Sequence, residues 1–332
     1  MRTAVFLFII VPAALCAQQP VSRSDAVTAA LARGARIALG RADTTAALGG
    51  VRAAHAFPNP TFSASYTKDP PNYHVLGEMP LDLPWLRGPR IGAAEAARDA
   101  ARYRFAFERA AIRFDVDTTY TRSLAAALHA RLSRRTADDA DSLLKIAELR
   151  RDVGDVSELD VRLAAVNAGQ LANTALDDSL AALSVLLSLQ LQMGLSGDTP
   201  TIALRDSLAP PPDSLTALRA GVLLPIAAAS AALQSAERTL SFTRASRFAP
   251  SIQFGFDKFD PTTPTPNELL PVIGVSLPVP LFNWSHGDIM RAAADRDRAR
   301  AELDLTRRET EADVARAQRE LAAARDRARR SA

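Results

Sequence analysis

The sequence predicts a mainly α-helical chain interrupted by two amphipathic β-hairpins, four strands in all. Three observations predict it. No proline occurs between Pro89 and Pro200, and apolar residues recur there every three or four positions, as a long helix requires. Two pairs of short segments alternate apolar and polar residues with a period of two, and each pair follows a proline stop. The order helix, hairpin, long helix then occurs twice. The composition allows a folded core: hydrophobic residues make up 48% of the 332 and charged residues 23%.

Taken in order, Arg2 and the apolar run Ala4 to Leu15 form a secretory signal peptide, residues 1–17, with cleavage after Ala17. The run is too short to span a membrane as a helix, and Cys16 leaves lipidation as the alternative. No later stretch reads as a membrane-spanning helix. The first repeat occupies 18–197. Ser22, with Asp25 three residues on, predicts a capped helix that Gly49-Gly50 breaks or kinks and Phe57-Pro58-Asn59-Pro60 ends. Phe62, Ala64 and Tyr66 then share one strand face. After the polar turn Lys68-Asp69-Pro70-Pro71-Asn72, Met79, Leu81 and Leu83 share another. Helix resumes from Ile91. Ile112, Val116, Tyr120, Leu124, Leu128 and Leu132 step by four, and Leu159, Leu163, Val166, Leu176, Leu180, Leu183 and Leu187 follow heptad-like spacing beyond a break at Arg151 to Asp155. This predicts two long antiparallel helices, the first ~90 Å long at 1.5 Å per residue.

A proline-rich linker, 198–213, leads to the second repeat, 214–332. Asp213-Ser214 cap a helix that runs to about Phe248 and is mildly interrupted at Pro225; Pro250 stops it. Ile252, Phe254 and Phe256 alternate with polar neighbours, 260–266 is a loop, and Ile273, Val275, Leu277 and Val279 alternate again. Gly287 opens the last helix. Its expected return partner is absent, which suggests a C-terminally truncated second copy.

An exported chain can set such strands against a soluble core or against lipid. Lipid-facing strands must be paired on both edges, because unpaired backbone groups are too costly in hydrocarbon. Four strands cannot close a barrel; three chains supplying four each would give twelve. The lipid-facing candidates are Phe62, Tyr66, Met79, Leu81, Leu83, Ile252, Phe254, Phe256, Val275 and Leu277.

The duplicated layout resembles the TolC-like outer-membrane efflux family across Ser22 to Ala332. So do the junctions Phe57-Pro58-Asn59-Pro60-Thr61-Phe62 and Phe248-Ala249-Pro250-Ser251-Ile252, and the strand exits Leu83-Pro84-Trp85 and Val279-Pro280-Leu281-Phe282. The most specific element is Val153-Gly154-Asp155-Val156-Ser157-Glu158-Leu159-Asp160-Val161, which is similar to the turn between that family's two long periplasmic helices. The resemblance implies a homotrimer in the outer membrane, with its helices in the periplasm. It implies a periplasmic adaptor (membrane fusion) protein touching a tip at Val153, Gly154, Asp155 and Ser157, and an inner-membrane pump behind it. The implied role is a passive exit duct for small molecules, metals or proteins. The alternatives are a soluble periplasmic coiled-coil adaptor and a non-functional channel fragment.

Other chemistry finds little support. Lys+Arg total 40 against 37 Asp+Glu, a net charge of only +3, and acidic residues interleave with the arginines of the last helix, so no nucleic-acid partner is expected. One cysteine excludes a disulfide framework, and four scattered histidines give no metal-ligand spacing. No catalytic set stands out. The sequence therefore predicts no enzyme, no cofactor and no metal site.

Overall fold

Ser22 caps the first helix as its sequence requires. In a computed structural model that describes residues 19–208, 223–259 and 269–331, the Ser22 hydroxyl accepts the Asp25 amide hydrogen, and the Asp25 carboxylate accepts the Ser22 amide hydrogen in return. The signal-peptide reading, Cys16, the cap at Asp213-Ser214 and the loop 260–266 lie outside the described residues.

The chain divides into two compact units, one made from residues up to Leu39 and Glu108–Leu218, the other from Gly40–Phe107 and from Arg219 onward. Along the chain, strand β1 (Gln19–Val21) precedes helix α1 (Arg23–Arg33). The expected break at Gly49-Gly50 does not occur. Helix α2 (Ala35–His55) runs through both glycines, and the interruption is at Gly34, whose ψ of 139° leaves the helical region. Strands β2 (Thr61–Tyr66) and β3 (Tyr73–Pro80) follow, then helix α3 (Pro84–Asp152), which starts seven residues before Ile91, and helix α4 (Glu158–Gln192). The linker is not structureless: Ile202–Leu204 form β4, parallel to β1, with Gln19 opposite Ile202 and Val21 opposite Leu204.

Tyr120 explains why so short a ladder holds. It is fully buried, its hydroxyl donates to the Val21 carbonyl at 2.9 Å, and it accepts the Asp206 amide at 3.4 Å. Ala26, Ala30, Ile37, Val116, Leu189 and Ile202 close the core around it. Arg36 ties α2 to α3 through Glu108 and Asp115, both at 2.6 Å. The antiparallel course of α3 and α4 follows from three contacts: Gln192 donates to Thr119, and Asp178 accepts from Ser133 and pairs with His129 at 2.9 Å. Of the α3 stripe, Ile112, Val116, Tyr120 and Leu124 are buried, whereas Leu128 and Leu132 are exposed, as are Leu159, Leu163, Val166, Leu176, Leu180 and Leu183 on α4.

Contrary to expectation, α4 is by length and composition apolar enough to cross a membrane. Its interior nevertheless carries adjacent carboxylates, Asp177 and Asp178, and Asp178 is engaged by polar groups of α3. Carboxylates at mid-helix are expensive in hydrocarbon, so this surface suits helix packing in water.

The second unit holds the hairpins. Helix α5 (Leu224–Ala245) has Pro225 in its first turn, where a missing amide hydrogen costs nothing, rather than as an interruption. It ends in a 3₁₀ turn, Ser246–Phe248, before β5 (Ser251–Lys258), β6 (Leu269–Ser276) and helix α6 (His286–Ser331). Ala228, Ala231 and Leu240 of α5 and Ala292 and Leu303 of α6 are buried where these helices pack. Small side chains allow that close approach.

Candidate functional site

Two features of the sequence survive as coherent local geometry: the four-stranded sheet and the α3–α4 turn. Each is described within its own unit.

The sheet is antiparallel throughout, ordered β2-β3-β5-β6, so β2 and β6 are its open edges. The hairpin turn is closed by Thr67, whose amide donates to the Asn72 carbonyl at 2.8 Å, and by the Asn72 side chain, which donates to the carbonyls of Thr67 and Lys68. Register then assigns the faces. Phe62 lies opposite Gly77, Gly77 opposite Phe254, and Phe254 opposite Ile273; Met79 lies opposite Ile252 and Ile252 opposite Val275. One face therefore carries Phe62, Ala64, Tyr66, Tyr73, Val75, Met79, Ile252, Phe254, Phe256, Leu269, Pro271, Ile273 and Val275. Lys258, at its end, is the only charged residue on that face among the described residues.

Gly77 has a specific purpose in this surface. The rings of Phe62 and Phe254 meet edge to face across it at 5.9 Å, and a Cβ at Gly77 would fall 2.7 Å from the Phe254 ring. At the turn edge, Tyr66 and Tyr73 pair at 5.2 Å. At the opposite edge the chain enters and leaves through segments bearing Phe57, Trp85, Phe248 and Trp284, all exposed. Aromatic residues at both ends of an apolar band are the pattern of a sheet that meets lipid between two polar interfaces.

The other face carries Thr61, Ser63, Ser65, His74, Glu78, Ser251, Gln253 and Asp257, with Leu76, Leu270 and Val272 among them. Ser251 donates to Glu78 at 2.5 Å, and His74 pairs with Asp257 at 2.8 Å. Polar groups here satisfy one another across strands.

Seven of the ten strand residues singled out from sequence share the apolar face: Phe62, Tyr66, Met79, Ile252, Phe254, Phe256 and Val275. Leu81, Leu83 and Leu277 do not lie in strands, because β3 occupies 73–80 and β6 ends at Ser276. Leu81 still donates its amide to the Pro250 carbonyl at 2.9 Å, one step past β3. Tyr73, Val75, Leu269 and Pro271 were missed. The alternation at Tyr73-His74-Val75 was the available signal, and the turn residues Pro70-Pro71-Asn72 immediately before it concealed where the strand begins.

The turn between α3 and α4 is built by the residues that resemble the family motif. Gly154 has φ of 82°, its amide donates to Arg151 at 2.9 Å, and the Asp155 amide donates to Arg150 at 2.8 Å. That is a Schellman end, which places a left-handed residue just past the helix. Ser157 then caps α4, accepting the Asp160 amide at 3.2 Å, while the Asp160 carboxylate accepts the Ser157 hydroxyl at 2.7 Å and its amide at 3.1 Å. The turn thus presents Val153, 80% exposed, together with Leu149 and Leu159. Its ion pairs, such as Arg150 with Asp155 at 3.6 Å, are exposed and stabilise it little.

The Ser157 hydroxyl, and after it the Ser157 amide, hold the Asp160 carboxyl below its ordinary value of 3.8. A depressed carboxyl contributes stability above the unfolded-state value and loses it as pH falls through the lower folded-state value. Acid should therefore loosen this turn at a pH below 3.8. Ser157→Ala should melt earlier at neutral pH and lose less on acidification, as read by thermal melts across the acid range.

Among the described residues no group of three or more His, Cys, Asp or Glu is placed to hold a metal ion.

No protein-family model matches the chain. Over 263 residues it is 28% identical to the cobalt-zinc-cadmium resistance protein CzcC of Cupriavidus metallidurans, a match covering 76% of this chain and 61% of that one. The chain thus spans about three-fifths of the length of that curated relative. Its structure is similar to the CmeC outer membrane channel of Campylobacter jejuni, with a TM-score of 0.73 and 16% identity over 86% of this chain and 67% of that one. It is also similar to the outer membrane protein VceC of Vibrio cholerae, with a TM-score of 0.69 and 17% identity over 90% and 79%.

Proposed function

We propose, for a chain with the fold of the TolC-like outer-membrane channels, the role of a passive exit duct in a tripartite efflux pump or type I secretion system. One observation carries the reading: a four-stranded sheet with one apolar face, one polar face and two open edges. In lipid those edges must be paired by strands of other copies, and three chains would close a barrel of about twelve strands. The apolar faces then meet outer-membrane lipid and the polar faces line the pore. The leucines left exposed on α3 and α4 of a single chain support the same assembly, since neighbouring helices in a periplasmic tunnel would cover them.

The Gly154–Ser157 turn is the contact for a periplasmic adaptor, through which an inner-membrane pump supplies the energy. The duct itself is not an enzyme. Resemblance to a cobalt-zinc-cadmium resistance protein supports divalent metal cations as cargo, although a passive pore leaves selection largely to the pump.

Planar-bilayer recording tests the reading. The purified protein should insert spontaneously and give stepwise conductance without nucleotide. Recovery in the soluble periplasm, with no conductance, would support the adaptor alternative instead.

A further inference from the structure

We infer that Asp82 is a positioning residue that fixes the angle at which the first hairpin leaves the helices. Its side chain is 2% exposed and lies two residues past the end of β3. Its Oδ2 receives both the Arg87 and the Arg90 guanidinium at 2.8 Å, while its Oδ1 has no partner among the described residues. The two arginines reach on to the end of α2. Arg87 donates to the His55 carbonyl at 3.1 Å, and Arg90 donates to those of Ala54 at 3.1 Å and Ala56 at 3.5 Å. These are carbonyls that a helix leaves without partners at its C-terminus, where positive charge is also favoured. Arg87 further covers the Phe57 ring at 4.2 Å. One buried carboxylate therefore clasps the strand exit, the start of α3 and the end of α2 at the point where the chain turns into β2.

Among the described residues the second repeat shows no such clasp. With Pro84 matched to Pro280, Asp82 corresponds to Pro278, Arg87 to Asn283 and Arg90 to His286. The end of α5 is satisfied locally, by Ser246 donating to Thr243 and Arg247 to Arg244. The first junction is fixed by charge, and among the described residues the second is not. In the duct reading, on which the functional meaning of this angle rests, the first hairpin holds its place at the rim.

Spin-label distances test the clasp without relying on transport. In a Cys16→Ser background, labels at Asp43 and Ser63 span the first junction, and labels at Gln234 and Gln253 span the second. Dilution with unlabelled chain confines the signal to distances within one copy. Asp82→Asn should broaden the first distribution from one narrow peak to several and leave the second unchanged. No broadening, or equal broadening at both junctions, would overturn the assignment. If Asp82→Asn does not fold, Arg90→Gln is read in the same way, with the same two outcomes.

Discussion

Phe254→Arg is expected to keep the chain out of the membrane, whereas Gln253→Arg, one residue away, should leave insertion intact. Phe254 lies mid-strand on the apolar face, between Gly77 and Ile273, with its ring against Phe62. An arginine on the lipid face of a β-barrel costs about 2–4 kcal/mol at the midplane, and three copies would carry that cost together. The substitution also removes the aromatic pair, which contributes roughly 0.5–1.5 kcal/mol beyond its burial. Gln253 points the other way, opposite Glu78 and Gly274, where a cation would sit on the polar face beside a carboxylate. Carbonate-resistant recovery in the outer-membrane fraction measures the difference. Equal insertion of the two variants would contradict the assignment of faces.

Gly154→Val should disable the helical turn while sparing insertion. At φ of 82° an L-residue pays roughly 1–2 kcal/mol, and a β-branched side chain fits that region worst. No atom lies within 4 Å of an added Cβ, so the penalty is purely that of the backbone. Relieving it breaks the bonds to Arg150 and Arg151 and shifts Val153, the most exposed apolar side chain of the turn. Photo-crosslinking from position 153 to the proposed periplasmic adaptor should fall severalfold, with outer-membrane recovery unchanged. Gly154→Asn is the control, because asparagine tolerates the left-handed region. Gly169→Val, in the middle of α4, should leave the crosslink intact. Similar losses for valine and asparagine at 154 would show that the turn's conformation is not what the adaptor reads.

Much of this architecture was legible in the residues. The cap at Ser22, the long helices and the turn at Gly154 rest on local rules, and local rules read correctly from a single sequence. The bounds of β3 and β6 did not. Leu81 and Leu83 continue the alternation of Met79, yet the chain cannot stay extended once Pro84 opens α3, so β3 ends at Pro80, and it starts as far back as Tyr73. Gly49-Gly50 suggested a break because glycine disfavours helix, but neighbouring helix formers carried α2 through both. The β1–β4 ladder was invisible because three residues are too few to show a period, and its support, Tyr120, comes from a position about a hundred residues later. The Asp82 clasp escaped for a related reason. Its acceptors, at Ala54 to Ala56, are backbone carbonyls, which leave no trace in side-chain identity.

The central claim is that each polypeptide brings a portion of a wall that closes only in company, inside a bilayer. Native mass spectrometry of the protein released from outer membranes in mild detergent tests it most directly. The account expects a particle of three chains, each of the processed mass, that precipitates when detergent is withdrawn. A single chain that stays folded and dispersed in plain buffer would contradict it.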